Sequence, residues 1–142
     1  SKNSPEISLK SWKTQKEIPL QLEEKEFYPD AYLVYGYREK LYSLFLEIDR
    51  STETNKRFAG KVENYLKYGF DGYYRKQSGF QFFRVLIVCP SAARLKNLKK
   101  LIEQKTDKMF WLAVQEDISP EKILTKIWQR PAKDSVFSLL ED

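Results

Sequence analysis

Three acidic side chains are the residues of this sequence whose types and spacing best suit metal chemistry. Asp30 follows a proline, and Glu47 and Asp49 are separated by one residue in the segment LEID. Carboxylate oxygens are the ligands that Mg²⁺ and Mn²⁺ prefer, and a metal held in this way can activate water for hydrolysis. We therefore treat Asp30 and Glu47 as prospective ligands of Mg²⁺ or Mn²⁺.

A predicted β-hairpin brings these carboxylates together. The aromatic and β-branched segments FYPDAYLVYG and LYSLFLEID have the composition of strands and are joined by the polar turn YREK. If the turn is centred in the middle of YREK, paired residue numbers sum to about 77, which sets Asp30 opposite Glu47. Their Cβ atoms would then be roughly 4.5–5.5 Å apart, so the two charges would repel each other without a cation. Strand alternation adds Asp49 to the same face as a third carboxylate.

The element after the hairpin supplies a cation. Apolar side chains recur at helical spacing over residues 55–68, which predicts a helix ended by Gly69. Arg57 and Lys61 share one stripe beside the buried side of this helix, so Lys61 is within reach of the carboxylates. The structural alternative is that the three acids are ordinary turn and strand-surface residues, and spacing alone leaves that alternative open.

Composition excludes several mechanisms. The chain of 142 residues has no histidine, which rules out Ser-His-Asp and Cys-His catalysis and imidazole-based metal sites. Its single cysteine, Cys89, ends an apolar strand pattern and is expected to be a buried hydrophobic residue. The net charge of +5 favours an anionic partner. No segment has the length of a membrane span and no signal peptide is recognisable, so a cytoplasmic protein without membrane contact is expected.

The order of strand and helix signals predicts an α/β fold. We expect a mixed β-sheet flanked by helices, in the order strand, strand, strand, helix, strand, helix, strand, helix. The near-continuous apolar run FQFFRVLIVCP predicts a central strand, and the preceding FDGYYRKQSG is expected to be a loop. A domain at residues 7–142 would follow a disordered tail at residues 1–6.

Two later helices are predicted from their capping residues. Ser91 is the expected N-cap of the helix after the central strand. A strand, MFWLAV, follows that helix, and Ser119-Pro120-Glu121 has the pattern that begins a last helix, which would end before Pro131.

Several segments of this chain resemble the replication-relaxation family of bacterial and plasmid proteins, a group similar to the PD-(D/E)XK nucleases. The resemblance covers almost the whole chain from about Trp12, and its matching segments are PDAYLVYG, FLEIDRSTE, GKVENY, FRVLIVCPSAAR and IWQRP. It implies a restriction-endonuclease-like core and a role in plasmid replication, relaxation or mobilisation. It also implies an upstream winged-helix segment, so the chain is expected to be a C-terminal fragment or a short member.

The resemblance assigns roles to individual residues. Asp30 takes the first acidic position of the nuclease motif and Glu47 takes the second, both as metal ligands. Asp49 stands where an active nuclease usually has a catalytic lysine. Lys61 is expected to substitute for that lysine by stabilising charge on an attacked phosphate. The candidate catalytic set is therefore Asp30, Glu47, Asp49 and Lys61.

Basic and aromatic residues in the middle of the chain suggest DNA as the partner. Four cations are the candidate DNA-binding residues, namely Arg57, Arg75, Lys76 and Arg94. Tyrosines and phenylalanines interleave with basic residues over 65–80, a mixture suited to stacking on bases, although most such rings serve packing. Three functions remain open: a metal-dependent endonuclease, an inactive nuclease-fold module that binds DNA or acts as a replication scaffold, and an adaptor for replication or mobilisation proteins.

Overall fold

The computed structural model describes residues 7–14 and 20–141. The expected tail at residues 1–6 lies outside these ranges. The described residues form nine strands, three α-helices and a short 3-10 helix. Their bounds are β1 Ser8–Thr14, β2 Leu20–Leu22, β3 Lys25–Phe27, β4 Ala31–Tyr37, β5 Lys40–Ile48, α1 Asn55–Phe70, α2 Tyr73–Ser78, β6 Arg84–Cys89, α3 Ala92–Glu103, β7 Phe110–Val114, the 3-10 helix Gln115–Asp117, β8 Trp128–Gln129 and β9 Val136–Phe137.

Seven of the strands form one mixed sheet in the order β1-β4-β5-β6-β7-β8-β9. β5, β6 and β7 are parallel to one another, whereas the remaining neighbours pair antiparallel. β6 is the middle strand, and its residues from Val85 to Cys89 are all buried. The predicted α/β class with a mixed sheet, an antiparallel hairpin and a central strand at RVLIVC is confirmed.

The hairpin of β4 and β5 has the predicted register. Ala31 pairs with Leu46 and Tyr37 pairs with Lys40, so the turn contains only Arg38 and Glu39. Both turn residues have positive φ angles, 51° and 65°. A two-residue turn with that backbone matches the twist of the strands and fixes their pairing.

The two faces of the sheet are covered differently. All three helices pack on one face, the helix face, where residues such as Phe45, Ile87 and Leu112 meet Val62 of α1 and Leu98 of α3. The alternate residues of the same strands point to the second face, as strand periodicity requires. There they are covered by the C-terminal segment, and the cluster includes Leu44, Leu86, Trp111, Trp128 and Leu139.

The predicted last helix from Ser119 is wrong. The Ser119 hydroxyl does accept from Lys122 N, but residues 119–126 form turns instead of a continuous helix. The chain then enters β8, where Trp128 is 1% exposed and its indole N–H donates to Ile123 O. Burying a large indole against the sheet outweighs the local helical pattern, because an aromatic side chain removes much apolar area from water. Among residues 7–14 and 20–141, α-helices therefore flank only one face of the sheet.

The predicted loop FDGYYRKQSG is also wrong, because it contains α2. Gly72 and Gly79 border this helix with φ angles of 86° and 83°, a backbone conformation that favours glycine. Tyr74 fixes the helix by packing in the core. Gly69 does not end α1 either, since the helix continues to Phe70.

The described helices include none that is long and apolar enough to cross a bilayer.

Candidate active site

The candidate site lies at the carboxyl end of β5, beside the first turns of α1. Asp30 immediately precedes β4, and its backbone N–H donates to Leu46 O at 2.9 Å. Its carboxylate Oδ2 accepts a hydrogen bond from Ile48 N at 2.7 Å. The side chain of Asp30 therefore takes the place of a strand carbonyl where regular pairing ends. This fixes one carboxylate at the edge of the sheet where ligands of α/β proteins commonly bind.

Glu47 is the buried acid of the site. It is 6% exposed and points to the helix face. Tyr65 Oη donates to its Oε2 at 2.6 Å, and Lys61 Nζ lies 3.0 Å from its Oε1. Both partners come from α1, so the predicted reach of Lys61 to this carboxylate is confirmed.

Burial and charge oppose each other in this group. Burial raises the pKa of Glu47 above 4.5, and nearby Asp30 raises it further, while Lys61 and Tyr65 partly offset the shift. Burial alone would lower the pKa of Lys61, but attraction to Glu47 and Glu53 outweighs it and raises that pKa. The lysine is therefore an ammonium ion at neutral pH. Burial together with Glu47 also raises the pKa of Tyr65 far above its usual value, so this phenol stays protonated.

An open cleft of about 240 Å³ lies beside Asp30, Glu47 and Lys61. It is lined by Tyr28, Asp30, Glu47, Ile48, Arg50, Thr52, Glu53, Arg57 and Lys61. A second cleft of about 420 Å³ adjoins it and shares Tyr28, Glu47, Glu53, Arg57 and Lys61. The cleft thus combines an acidic floor with basic groups, an arrangement suited to a cation and a phosphate bound side by side.

Asp49 has a different partner from the other two acids. Arg94 Nε donates to its Oδ2 at 2.8 Å and Arg94 Nη2 donates to its Oδ1 at 3.1 Å. The Asp49 side chain is only 2% exposed, and it does not line either cleft. The structure therefore brings Asp30, Glu47 and Lys61 together and places Asp49 in a separate ion pair.

The donor set fits a hard cation with few protein ligands. Within residues 7–14 and 20–141, three or more acidic, histidine or cysteine side chains do not converge on a position that could hold a metal. Three carboxylates line the open cleft, those of Asp30, Glu47 and Glu53, and Glu53 is paired with Lys61. Mg²⁺ is commonly bound by one or two carboxylates while it keeps several water molecules, so Asp30 and Glu47 match that mode.

The four candidate DNA-binding residues occupy two separate regions. Arg57 is exposed in the first turn of α1 and lines the cleft, while Arg94 lies nearby in α3 with its guanidinium engaged by Asp49. Arg75 and Lys76 are exposed on α2, which follows the far end of α1. The predicted basic residues are therefore not one contiguous site, and their contact with DNA stays a prediction.

Sequence reasoning missed four polar residues that line the cleft: Tyr28, Arg50, Thr52 and Glu53. Glu53 matters most, because its Oε2 is 3.2 Å from Lys61 Nζ. The available signal was position, since the loop after β5 must leave the sheet at its carboxyl edge. Applying that rule to the polar run DRSTE would have selected the loop.

Most of the middle aromatics serve packing. Tyr65, Tyr68 and Tyr74 are at most 2% exposed, whereas Phe70 is exposed. Cys89 is also buried, as predicted, and burial raises the pKa of its thiol to about 12. A thiol with that pKa is protonated at neutral pH and is a poor nucleophile.

Comparison with known protein families matches residues 1–83 to the family described as replication-relaxation. The matched range contains Asp30, Glu47 and Lys61. No curated protein and no solved structure gives a significant match to the chain.

Proposed function

The chain belongs to the replication-relaxation family, which suggests a role in plasmid replication or relaxation, and from that premise we propose that it is a metal-dependent endonuclease. Asp30 and Glu47 would hold Mg²⁺ or Mn²⁺. The observation that carries the proposal is that both carboxylates line one cleft with Lys61, Arg50 and Arg57. Acidic groups suit the metal and basic groups suit the phosphodiester backbone of DNA.

The residues of the cleft would have different roles in the proposed reaction. A divalent ion bound there would supply a Lewis acid for a phosphoryl oxygen and lower the pKa of a bound water. Lys61 carries a positive charge beside Glu47 and can stabilise negative charge on an attacked phosphate. Arg57 is exposed at the cleft and can hold a neighbouring phosphate through paired N–H groups.

The arrangement of elements supports a restriction-endonuclease-like core as part of the proposal. An antiparallel hairpin carries the acids, a helix follows with the lysine, and parallel β6 and β7 complete the central sheet. Function is nevertheless argued from the cleft, because one fold can host many activities.

A second candidate function is a non-catalytic module that binds DNA or organises replication proteins. The specific observation in its favour is the Asp49–Arg94 ion pair. Asp49 occupies the position at which the nuclease motif usually has a lysine, and it is committed to a structural contact. A module of this kind would need the basic surface but no metal.

Nicking of supercoiled plasmid DNA tests the proposal. We expect the protein to nick this DNA when Mg²⁺ or Mn²⁺ is present, and we expect nicking to stop when a chelator removes the metal. The variants Asp30→Asn and Glu47→Gln should lose the nicking activity. Asp117→Asn is the matched control, since Asp117 lines neither cleft and its carboxylate lies 4.0 Å from Lys122 Nζ. DNA binding without metal-dependent nicking in the wild type would favour the non-catalytic module instead.

A further inference from the structure

Lys61 lies between two carboxylates of unequal burial. Its Nζ is 3.0 Å from Glu47 Oε1 and 3.2 Å from Glu53 Oε2. The Glu47 side chain is 8% exposed, the Glu53 side chain is 20% exposed and the Lys61 side chain is 34% exposed. One ammonium ion is therefore shared between an inner acid and an outer acid.

The inner contact conflicts with metal binding. Glu47 has its Oε2 bonded to Tyr65 and its Oε1 beside Lys61. A divalent ion on Glu47 would meet the ammonium group at the same carboxylate, and like charges at that separation repel strongly in a partly buried site. This repulsion favours release of Glu47 by Lys61 when a cation binds there.

Glu53 is placed to receive the released lysine. Its backbone carbonyl accepts a hydrogen bond from Arg94 Nη2 at 3.2 Å, and the next residue, Thr54, is the N-cap of α1. The chain at Glu53 is thus held from both sides. Lys61 can leave Glu47 and keep an ion pair without moving into open solvent.

Resting on the proposed function, we propose that Glu53 is a positioning residue that holds Lys61 when a divalent cation occupies Asp30 and Glu47. Lys61 and the metal then exchange at Glu47. The metal affinity of the chain is set by this exchange as well as by the two ligands. Glu53 acts through Lys61 and not as a metal ligand.

Calorimetric titration of Mn²⁺ into the full chain tests the exchange through four variants. Lys61→Gln removes the competing charge and keeps a hydrogen-bond donor, so Mn²⁺ affinity should rise about tenfold, the effect of one charge-assisted hydrogen bond. Glu53→Gln should lower affinity by a similar factor, because Lys61 loses its second partner. In the Lys61→Gln background, Glu53→Gln should change nothing. Asp117→Asn is the control and should match the wild type.

Each other result overturns the inference. If Glu53→Gln lowers affinity equally in both backgrounds, Glu53 acts on the metal directly. If Lys61→Gln leaves Mn²⁺ affinity unchanged or lowers it, the lysine does not compete with the metal for Glu47. Lys61→Met repeats that test with a side chain that has no hydrogen-bond donor. If the wild type binds no Mn²⁺, the proposed metal function fails together with the exchange. Thermal unfolding without metal confirms that every variant is folded.

Discussion

The guanidinium of Arg94 holds both carboxylate oxygens of Asp49, with Nε 2.8 Å from Oδ2 and Nη2 3.1 Å from Oδ1. The same Nη2 also donates to Glu53 O at 3.2 Å. One side chain of α3 therefore ties the end of β5 to the loop that enters the cleft. Because the Asp49 side chain is 2% exposed and the Arg94 side chain is 13% exposed, their ion pair should matter more to stability than a surface ion pair.

We expect Arg94→Ala to lower the free energy of unfolding by about 3–5 kcal/mol, because it leaves the buried Asp49 carboxylate without a partner. Asp49→Ala should cost less, since the longer arginine can reach water. Urea unfolding of both single variants and the double variant measures their coupling. The control Lys122→Ala should stay within about 0.5 kcal/mol of the wild type. If Arg94→Ala is as mild as this control, the ion pair does not stabilise the fold.

DNA binding should depend on Arg57 and on salt. Arg94 is an unsuitable probe, because Arg94→Glu would place a third acid beside Asp49 and Glu53. Arg57→Glu changes an exposed cation at the cleft and should weaken binding more than Lys122→Glu, because Lys122 is exposed but does not line the cleft. It should also reduce the slope of log affinity against log salt by about 1. Fluorescence anisotropy with duplex DNA across about 50–200 mM salt measures both effects. Equal losses for both variants, or affinity independent of salt, would contradict this prediction.

Local rules predicted the parts of the fold that local chemistry fixes. The register of β4 and β5 followed from a two-residue turn, and the start of α3 followed from Ser91, whose hydroxyl accepts from Arg94 N at 3.1 Å. Elements set by distant contacts were missed. β8 is stabilised by burial of Trp128 in the cluster on the second face of the sheet. The sequence periodicity near residue 128 does not indicate that this side chain packs there.

The candidate site divides in the same way. Asp30, Glu47 and Lys61 were predicted to lie together because one register and one helical stripe place them. The ion pair of Asp49 could not be predicted, since its partner Arg94 is 45 residues away in the chain. Its hydrogen bonds depend on how α3 packs against β5, which is a tertiary relationship.

Two glycines of α1 should respond in opposite directions to alanine. At Gly69 a Cβ would lie 2.8 Å from Met109 Cε and 3.0 Å from Phe83 Cε2, so Gly69→Ala should lose about 1–3 kcal/mol by overpacking. A Cβ at Gly60 meets nothing within 4 Å, so Gly60→Ala should gain about 0.5–1 kcal/mol from helix propensity. Urea unfolding of the pair decides the point. If both variants gain stability, Met109 and Phe83 move aside easily and Gly69 is not required for packing.

Glu47→Gln should change how stability depends on pH. Burial, with the charge of Asp30, raises the pKa of Glu47 above the value of 4.5 expected for the unfolded chain, although Lys61 and Tyr65 partly offset it. The folded state therefore binds this proton more tightly than the unfolded state does. As pH rises from about 4.5 through the raised pKa, the wild type should lose stability relative to Glu47→Gln, which has no such proton.

Thermal unfolding from acid to neutral pH, with chelator present, measures this difference. At neutral pH the variant should unfold at the same temperature as the wild type or slightly higher. The glutamine still offers an oxygen that accepts from Tyr65, and Lys61 still has Glu53 as an ion-pair partner. Adding Mn²⁺ should then raise the unfolding temperature of the wild type alone, since a ligand stabilises only the state that binds it. If the wild type instead becomes more stable relative to the variant as pH rises, attraction between Glu47 and Lys61 exceeds the cost of burying the Glu47 charge. If the variant is also less stable at neutral pH and Mn²⁺ stabilises neither protein, Glu47 is a structural residue and the metal site is excluded.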